Sequence, residues 1–108
     1  MKPNRQASKR QDIEAEKALS AALVSLESVD ECRNFLRDLC TPAELQALID
    51  RWHVVELLED GLTYRQINEL TGVSVTTIGR VARFLADGHG GYRVAIERVE
   101  SDQTPPSH

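Results

Sequence analysis

Apolar residues recur at helical spacing through most of the chain. A first helix is predicted over about residues 12–27, with one apolar face made by Leu19, Ala22, Leu23 and Leu26. Ser28 and Glu31 have the spacing of a capping box, which predicts the start of a second helix. The inner face of that second helix is predicted to be Cys32, Phe35, Leu36 and Leu39.

A third helix has the clearest start and stop signals. Thr41 supplies an N-cap, Pro42 stands at the first helical position and Glu44 at the third, while Gly61 follows the end. The apolar stripe between them contains Leu45, Leu48, Ile49, Trp52, Val55 and Leu58, widened by Ala47, Val54 and Leu57. A stripe this wide needs cover from two sides. The second layer comes either from another copy of the protein or from helices of the same chain.

Residues 63–86 have the pattern of a helix-turn-helix. Thr63 caps the first helix with Gln66 three residues later, Gly72 ends it, and Ser74 caps the second helix after a very short turn. The two helices are predicted to share a small core of Ile67, Leu70, Val73, Val75, Ile78, Val81, Ala82 and Leu85.

The chain is therefore predicted to be all-α, with six helices and no strand. Its 108 residues suit one helical domain over residues 12–100, flanked by flexible polar tails at 1–11 and 101–108. No apolar segment is long enough to span a membrane and no secretory signal is present, so the protein is expected in the cytoplasm. A chain this short commonly completes its core by dimerising.

Charge is distributed unevenly along the chain. The formal net charge is -4, yet residues 61–98 hold five Arg against three carboxylates, a local balance of +2. The positive segment coincides with the helix-turn-helix. Its second helix turns five residues outward, namely Thr76, Thr77, Gly79, Arg80 and Arg83.

Hydroxyl, methyl and guanidinium groups are what contact with a DNA major groove requires. The first amides of the second helix, at about Val75 to Thr77, can also bind phosphate, and Arg65 stands near the edge of the groove. The sequence thus predicts a DNA-binding regulator. The alternative is a helical protein interaction module that keeps this shape without binding DNA.

Several runs resemble the Trp repressor superfamily, and more specifically its smaller YerC/YecD branch. They are LCTPAEL at 39–45, ELLEDGLTYRQI at 56–67, TGVSVTTIGRV at 71–81 and GGYRVAIERV at 90–99. The resemblance implies an intertwined homodimer that places two reading heads in successive major grooves. It also implies DNA contacts by Arg65, Val75, Thr76, Thr77 and Gly79, although the family generally carries a hydroxyl residue where Gly79 stands.

A candidate effector pocket follows from the same resemblance. Arg51 and Arg80 match the two arginines that enclose the indole ring in the tryptophan-binding repressor, and Val55 matches a pocket residue. Val81 and Phe84 replace smaller residues there and would fill the volume that an indole needs. Tryptophan is therefore not expected to be the effector, which leaves another small molecule or none.

Few other residues suggest a metal, cofactor or catalytic site. His53 and His89 are isolated from other metal ligands, and Cys32 and Cys40 have no zinc spacing, so both cysteines are interpreted as reduced thiols. Trp52 falls on an apolar stripe and is predicted to pack in the core. With no catalytic arrangement, cofactor fingerprint or phosphate loop, the sequence predicts neither an enzyme nor a bound cofactor.

Overall fold

The predicted order of six helices is confirmed. A computed structural model describes residues 5–103, with side chains described from Lys9 to Asp102, and these residues contain no strand. The helices are α1 (Arg5–Val24), α2 (Val29–Leu39), α3 (Pro42–Glu59), α4 (Tyr64–Thr71), α5 (Val75–Asp87) and α6 (Gly91–Gln103).

The outer ends of α1 and α6 extend beyond their predicted bounds. α1 begins at Arg5, so residues 5–11 are helical where a tail was predicted, and α6 enters the predicted C-terminal tail as far as Gln103. Arg, Gln, Ala and Lys dominate residues 5–11 and favour a helix, but they give no apolar periodicity by which to detect one. The rest of both predicted tails, at 1–4 and 104–108, lies outside the described residues.

The chain divides into two compact units, one up to Pro42 and the other from Ala43. The single domain over residues 12–100 stays a prediction. In the first unit, the amide of Glu31 donates to Ser28 Oγ at 3.0 Å, as the capping box requires. The carboxylate of Glu31 accepts from the amide of Glu27, at 2.8 Å, instead of from Ser28. No residue of α2 is buried in this structure.

The second unit contains a continuous apolar core to which all four of its helices contribute. Its members are Val54, Val55, Ile67, Val73, Ile78, Val81 and Ile96. Of the other predicted members, Leu85 packs against this core and Ala82 is half-buried, whereas Leu70 and Val75 are 66% and 53% exposed. The α4 helix turns Ile67 and Thr71 toward α5, and Leu70 falls to one side since three residues turn a helix 60° short of a full circle.

The C-terminal end of α3 is fixed by bonds to the following turn and to α6, whereas apolar side chains nearer its start are exposed. Gly61 adopts a positive φ of 87°, and the bond from the Leu62 amide to the Leu57 carbonyl closes the helix in a Schellman motif. An ion pair of 3.0 Å between Arg93 and Glu59 ties α6 to this end. Earlier in α3, both Leu48 and Ile49 are exposed.

Trp52 packs against the core from α3, as its place on the apolar stripe predicts. Its ring lies 6.4 Å from the ring of Tyr92 on α6, at an interplanar angle of 47°. This tilted aromatic contact joins the two helices beside the buried valines and gives the indole a structural role.

Candidate nucleic-acid interface

Local side-chain bonds define both ends of α4. The Gln66 amide donates to Thr63 Oγ1 at 3.1 Å, and the Thr63 amide donates to Gln66 Oε1 at 2.8 Å, so the predicted capping box is confirmed. At the other end, Gly72 has a φ of 77° and its amide donates to the Asn68 carbonyl at 2.8 Å. The chain therefore leaves α4 through a left-handed residue that favours glycine.

A small polar network fixes the turn between α4 and α5. Asn68 Nδ2 donates to the Val73 carbonyl at 2.8 Å, and the Val73 amide donates to Thr71 Oγ1 at 3.0 Å. The Thr71 hydroxyl in turn donates to the Ile67 carbonyl at 2.7 Å. These bonds satisfy the backbone of the turn and set the angle between the helices. Sequence reasoning missed Asn68 and Thr71, because their partners lie in the turn and not at a helix cap.

The outer surface of α4 and α5 brings together most of the predicted DNA-contacting residues, which we call the reading face. Five of its members are exposed: Arg65, Val75, Thr76, Arg80 and Arg83. Thr77 and Gly79 are half-buried. The buried side of the same helices carries Ile67, Ile78 and Val81, so the core and the reading face lie on opposite sides.

Fewer polar groups at the start of α5 are unpaired than its sequence indicates. The Thr77 amide donates to Ser74 Oγ at 3.1 Å, and the Ser74 hydroxyl donates to Thr77 Oγ1 at 3.1 Å. The Ile78 amide bonds to the Ser74 carbonyl at 2.9 Å. The amides of Val75 and Thr76 keep the unpaired position of a helix start, which is where an anion binds.

Arg65 already has a partner on its own helix. Its Nε lies 3.3 Å from Glu69 Oε2, and both side chains are largely exposed. An exposed pair of this kind contributes about 0.3–0.5 kcal/mol, so a phosphate or a base can displace the carboxylate. The sequence analysis missed Glu69 as the partner of Arg65, although its spacing of four is the signal for such a pair.

The candidate effector pocket is a narrow cleft. Its walls in the structure are Arg51, Arg80, Val81, Phe84 and Tyr92, around a volume of about 220 Å³. The guanidinium carbon of Arg80 lies 5.5 Å from the centre of the Phe84 ring, a cation–π distance. Val55 is fully buried in the core and does not line the cleft. Tyr92 was not predicted, since it reaches the cleft from a different helix.

A second groove, between α3 and α6, has the opposite electrostatic character. It encloses about 380 Å³ beside Trp52 and is lined by four carboxylates, from Glu56, Glu59, Asp60 and Glu100. Arg93 neutralises Glu59 through the ion pair already described. The charge of this groove would repel a duplex, whereas the reading face carries exposed arginines.

Other kinds of site find little support in the described part of the chain. Over residues 5–103 no helix combines the length and apolar character needed to cross a bilayer. The same residues contain no group of three or more His, Cys, Asp or Glu side chains that could hold a metal ion. Cys32 and Cys40 are free and half-buried.

Known proteins resemble this chain over most of its length. The uncharacterized protein YerC of Bacillus subtilis is 41% identical over 86 residues, which is 80% of this chain and 83% of YerC. The crystal structure of a TrpR-like protein from Eubacterium eligens superposes with a TM-score of 0.75 at 39% identity, covering 81% of this chain and 90% of that one. A solved structure from Staphylococcus aureus also has a TM-score of 0.75, at 37% identity, covering 81% and 87%.

The family profile agrees with these likenesses. The profile of the Trp repressor protein matches residues 14–100, which include α2 to α5 entirely and most of α6. It therefore spans both the capped helix pair and the helices that carry it, and not the helix-turn-helix alone. With this match and the 41% identity to YerC, the chain belongs to the Trp repressor family.

Proposed function

We propose that this protein is a homodimeric, sequence-specific DNA-binding regulator of transcription that acts as a repressor. The observation that carries the proposal is the reading face. Arg65, Arg80 and Arg83 are exposed there, on a helix pair whose turn and caps are fixed by side-chain hydrogen bonds. Membership of the Trp repressor family supports the same role and favours a regulator over an enzyme.

The reading face offers both kinds of contact that DNA recognition uses. Arg65 and Arg80 can fork to the acceptors of guanine or pair with phosphate, and the methyl group of Thr76 can touch thymine. The unpaired amides at the start of α5 suit a phosphate oxygen. Arg83, one turn beyond Arg80, extends the positive surface along α5. Affinity therefore comes mainly from phosphates, and specificity from the groove.

A second copy of the chain is part of the proposal. Apolar side chains remain exposed in both units, and a surface of this kind favours association. In the first unit they are Ile13, Leu19, Leu23, Val24, Val29 and Leu39. In the second they include Leu48 and Ile49. A symmetric dimer would read two half-sites centred about 34–36 Å apart, one helical turn of DNA.

Tryptophan is not the proposed effector. The cleft of about 220 Å³ is smaller than the roughly 300–1,000 Å³ of common ligand sites, and the Phe84 ring already packs against the Arg80 guanidinium inside it. We expect no heat of binding when L-tryptophan is titrated into the dimer by calorimetry. Micromolar binding of L-tryptophan would contradict this part of the proposal.

Selection from a random DNA pool tests the main proposal. We expect recovery of a two-fold symmetric sequence, and a log K that falls steeply and linearly with log salt concentration for that duplex. A flat salt response, or no recovered sequence, would instead favour a helical protein interaction module. The acidic groove between α3 and α6 would then be the first surface to examine, because a basic partner suits its carboxylates.

Two arginine variants locate the contact. Arg65→Ala and Arg80→Ala are each expected to weaken operator binding by about 1–3 kcal/mol if they contact a base, and to lower the salt slope by about one if they contact a phosphate. The control is Arg33→Ala, an exposed arginine of α2 paired with Asp30 at 3.5 Å. Unchanged affinity in both reading-face variants would remove this surface from the proposal.

The cytoplasm is the proposed location, since a regulator of this class meets DNA there. No cofactor is proposed. Fluorescence microscopy of a tagged chain should show the protein over the nucleoid, and association with the cell envelope would contradict the proposal.

A further inference from the structure

Tyr64 of α4 lies across the helix pair from Gly79 of α5. A Cβ atom placed on Gly79 would come 3.9 Å from Cε2 of Tyr64, which is ordinary van der Waals contact. Gly79 has no side chain of its own, and it lies within the α5 segment that carries Thr76 and Arg80. The surface at this point is therefore bordered by a tyrosine ring from the other helix.

The backbone of Tyr64 is fixed by a helix cap, whereas its side chain is partly exposed. Tyr64 is the first residue of α4 and directly follows Thr63, whose capping box holds the start of that helix. The side chain is 42% exposed. Among the described residues its hydroxyl has no hydrogen-bond partner. A partly exposed phenol whose oxygen is unpaired is able to donate to a ligand.

We infer that Tyr64 is a further DNA-contacting residue, whose hydroxyl donates a hydrogen bond to a phosphate oxygen beside the site where Gly79 leaves α5 bare. The inference rests on the proposed function. In a helix-turn-helix the first helix crosses the DNA backbone, and Tyr64 stands at the start of that helix next to Arg65. Tyrosine is among the side chains that bond to phosphate oxygens.

A neutral hydrogen-bond donor changes the salt dependence of DNA binding differently from an arginine. Lys and Arg release counterions when they bind phosphate, so their loss reduces the salt slope, whereas a phenol releases none. A phosphate contact is also independent of base sequence. Loss of the Tyr64 hydroxyl should therefore lower the affinity for every duplex by a similar factor and leave the salt slope unchanged.

The test compares Tyr64→Phe with the unmodified dimer in fluorescence anisotropy, using the selected operator and an unrelated duplex of equal length. Tyr64→Phe keeps the ring over Gly79 and removes only the oxygen, so the melting temperature should stay the same. We expect about 10- to 150-fold weaker binding to both duplexes, as for a lost hydrogen bond to a charged acceptor. Ser101→Ala, which removes an exposed hydroxyl from α6, is the control and should bind as before.

The outcomes separate this inference from the function on which it rests. If the unmodified protein binds no duplex, the proposed function fails and the inference fails with it. If the unmodified protein binds with a steep salt slope and Arg65→Ala weakens it, while Tyr64→Phe binds normally, only the inference is overturned. A loss confined to the selected operator would also overturn it, because that result assigns Tyr64 to a base. Equal losses on both duplexes at constant salt slope support it.

Discussion

The α4–α5 pair and the α1–α2 pair are both two consecutive helices, yet they bury very different amounts of side chain. Ile67, Ile78 and Val81 are buried on the former pair, in a core shared with α3 and α6. Neither α1 nor α2 contains a fully buried side chain among the described residues, and their leucines are exposed or half-buried. The reading face thus rests on contacts within the chain, whereas apolar side chains of the first unit stay exposed.

The difference has a physical cause in helix length and turn chemistry. α4 has eight residues and would be unstable by itself, so its caps, its polar turn and Ile67 are all needed to hold it. α1 has twenty residues, enough for a helix to persist while its apolar side chains find a partner later.

Core truncation in α4 should have the largest effect. Ile67→Ala removes a fully buried side chain and is expected to cost about 2–5 kcal/mol in free energy of unfolding, measured by urea denaturation. Leu70→Ala on the same helix is the matched control, and its exposed side chain should cost less than about 0.5 kcal/mol. Equal losses in the two variants would show that Leu70 is also covered, and the contrast would no longer hold.

The apolar face of α1 should matter for assembly. Leu19→Asn together with Leu23→Asn is expected to weaken the proposed dimer by about 2–4 kcal/mol, a roughly 30- to 1,000-fold higher dissociation constant, because each leucine loses apolar burial. Sedimentation equilibrium measures the constant. Lys17→Asn with Ala21→Asn places the same amides on the opposite side of α1 and should leave it unchanged. A dimer unaffected by the leucine changes would contradict this role.

The N-cap serines of α5 and α2, Ser74 and Ser28, should differ by a smaller amount in their contribution to stability. Ser74→Ala should cost about 1 kcal/mol, since Ser74 Oγ accepts from the Thr77 amide and also donates to Thr77 Oγ1. Ser28→Ala removes only the bond from the Glu31 amide and should cost nearer 0.5 kcal/mol. Hydrogen exchange of the α5 and α2 amides would localise each loss. Faster exchange in α2 than in α5 for the Ser74 variant would argue against the assignment.

Removing the carboxylate beside Arg65 should have the smallest effect on stability. Glu69→Gln is expected to change the free energy of unfolding by no more than about 0.5 kcal/mol, because the ion pair is exposed. DNA affinity should rise by roughly two- to five-fold at low salt, since Arg65 is released and a negative charge is lost. Glu97→Gln on α6 removes the same charge elsewhere and serves as control. Equal gains in both variants would reduce the effect to net charge.

Helix ends were predictable wherever a cap residue marks them. The caps Thr63, Ser74 and Gly72 mark helix ends of α4 and α5 in the sequence, because their hydrogen-bond partners lie within a few residues along the chain. α1 began earlier than predicted for the opposite reason, since residues 5–11 form a helix without any apolar position to reveal it. Leu70 and Val75 were placed in the core by spacing alone, which cannot tell the centre of a helix face from its edge.

For the candidate site, the sequence predicted which helix surface faces outward but not the contacts that its residues make. Arg65, Thr76, Arg80 and Arg83 follow from which face of each helix is polar. The partners Glu69, Asn68, Tyr64 and Tyr92 were missed, and all but Glu69 act across a turn or between helices. Contacts of that kind depend on the angle between elements, which no local pattern contains.

By itself the sequence determined that this chain is helical, where its capped helices meet, and which helix pair presents arginines outward. These properties depend on neighbours within about four positions along the chain, as hydrogen bonding and side-chain periodicity do. Tertiary structure alone decided that Phe84 lies against Arg80, that Tyr64 borders Gly79, and that Leu48 and Ile49 stay uncovered. Such relations are fixed by how helices pack in space, because packing brings together residues that are distant in sequence.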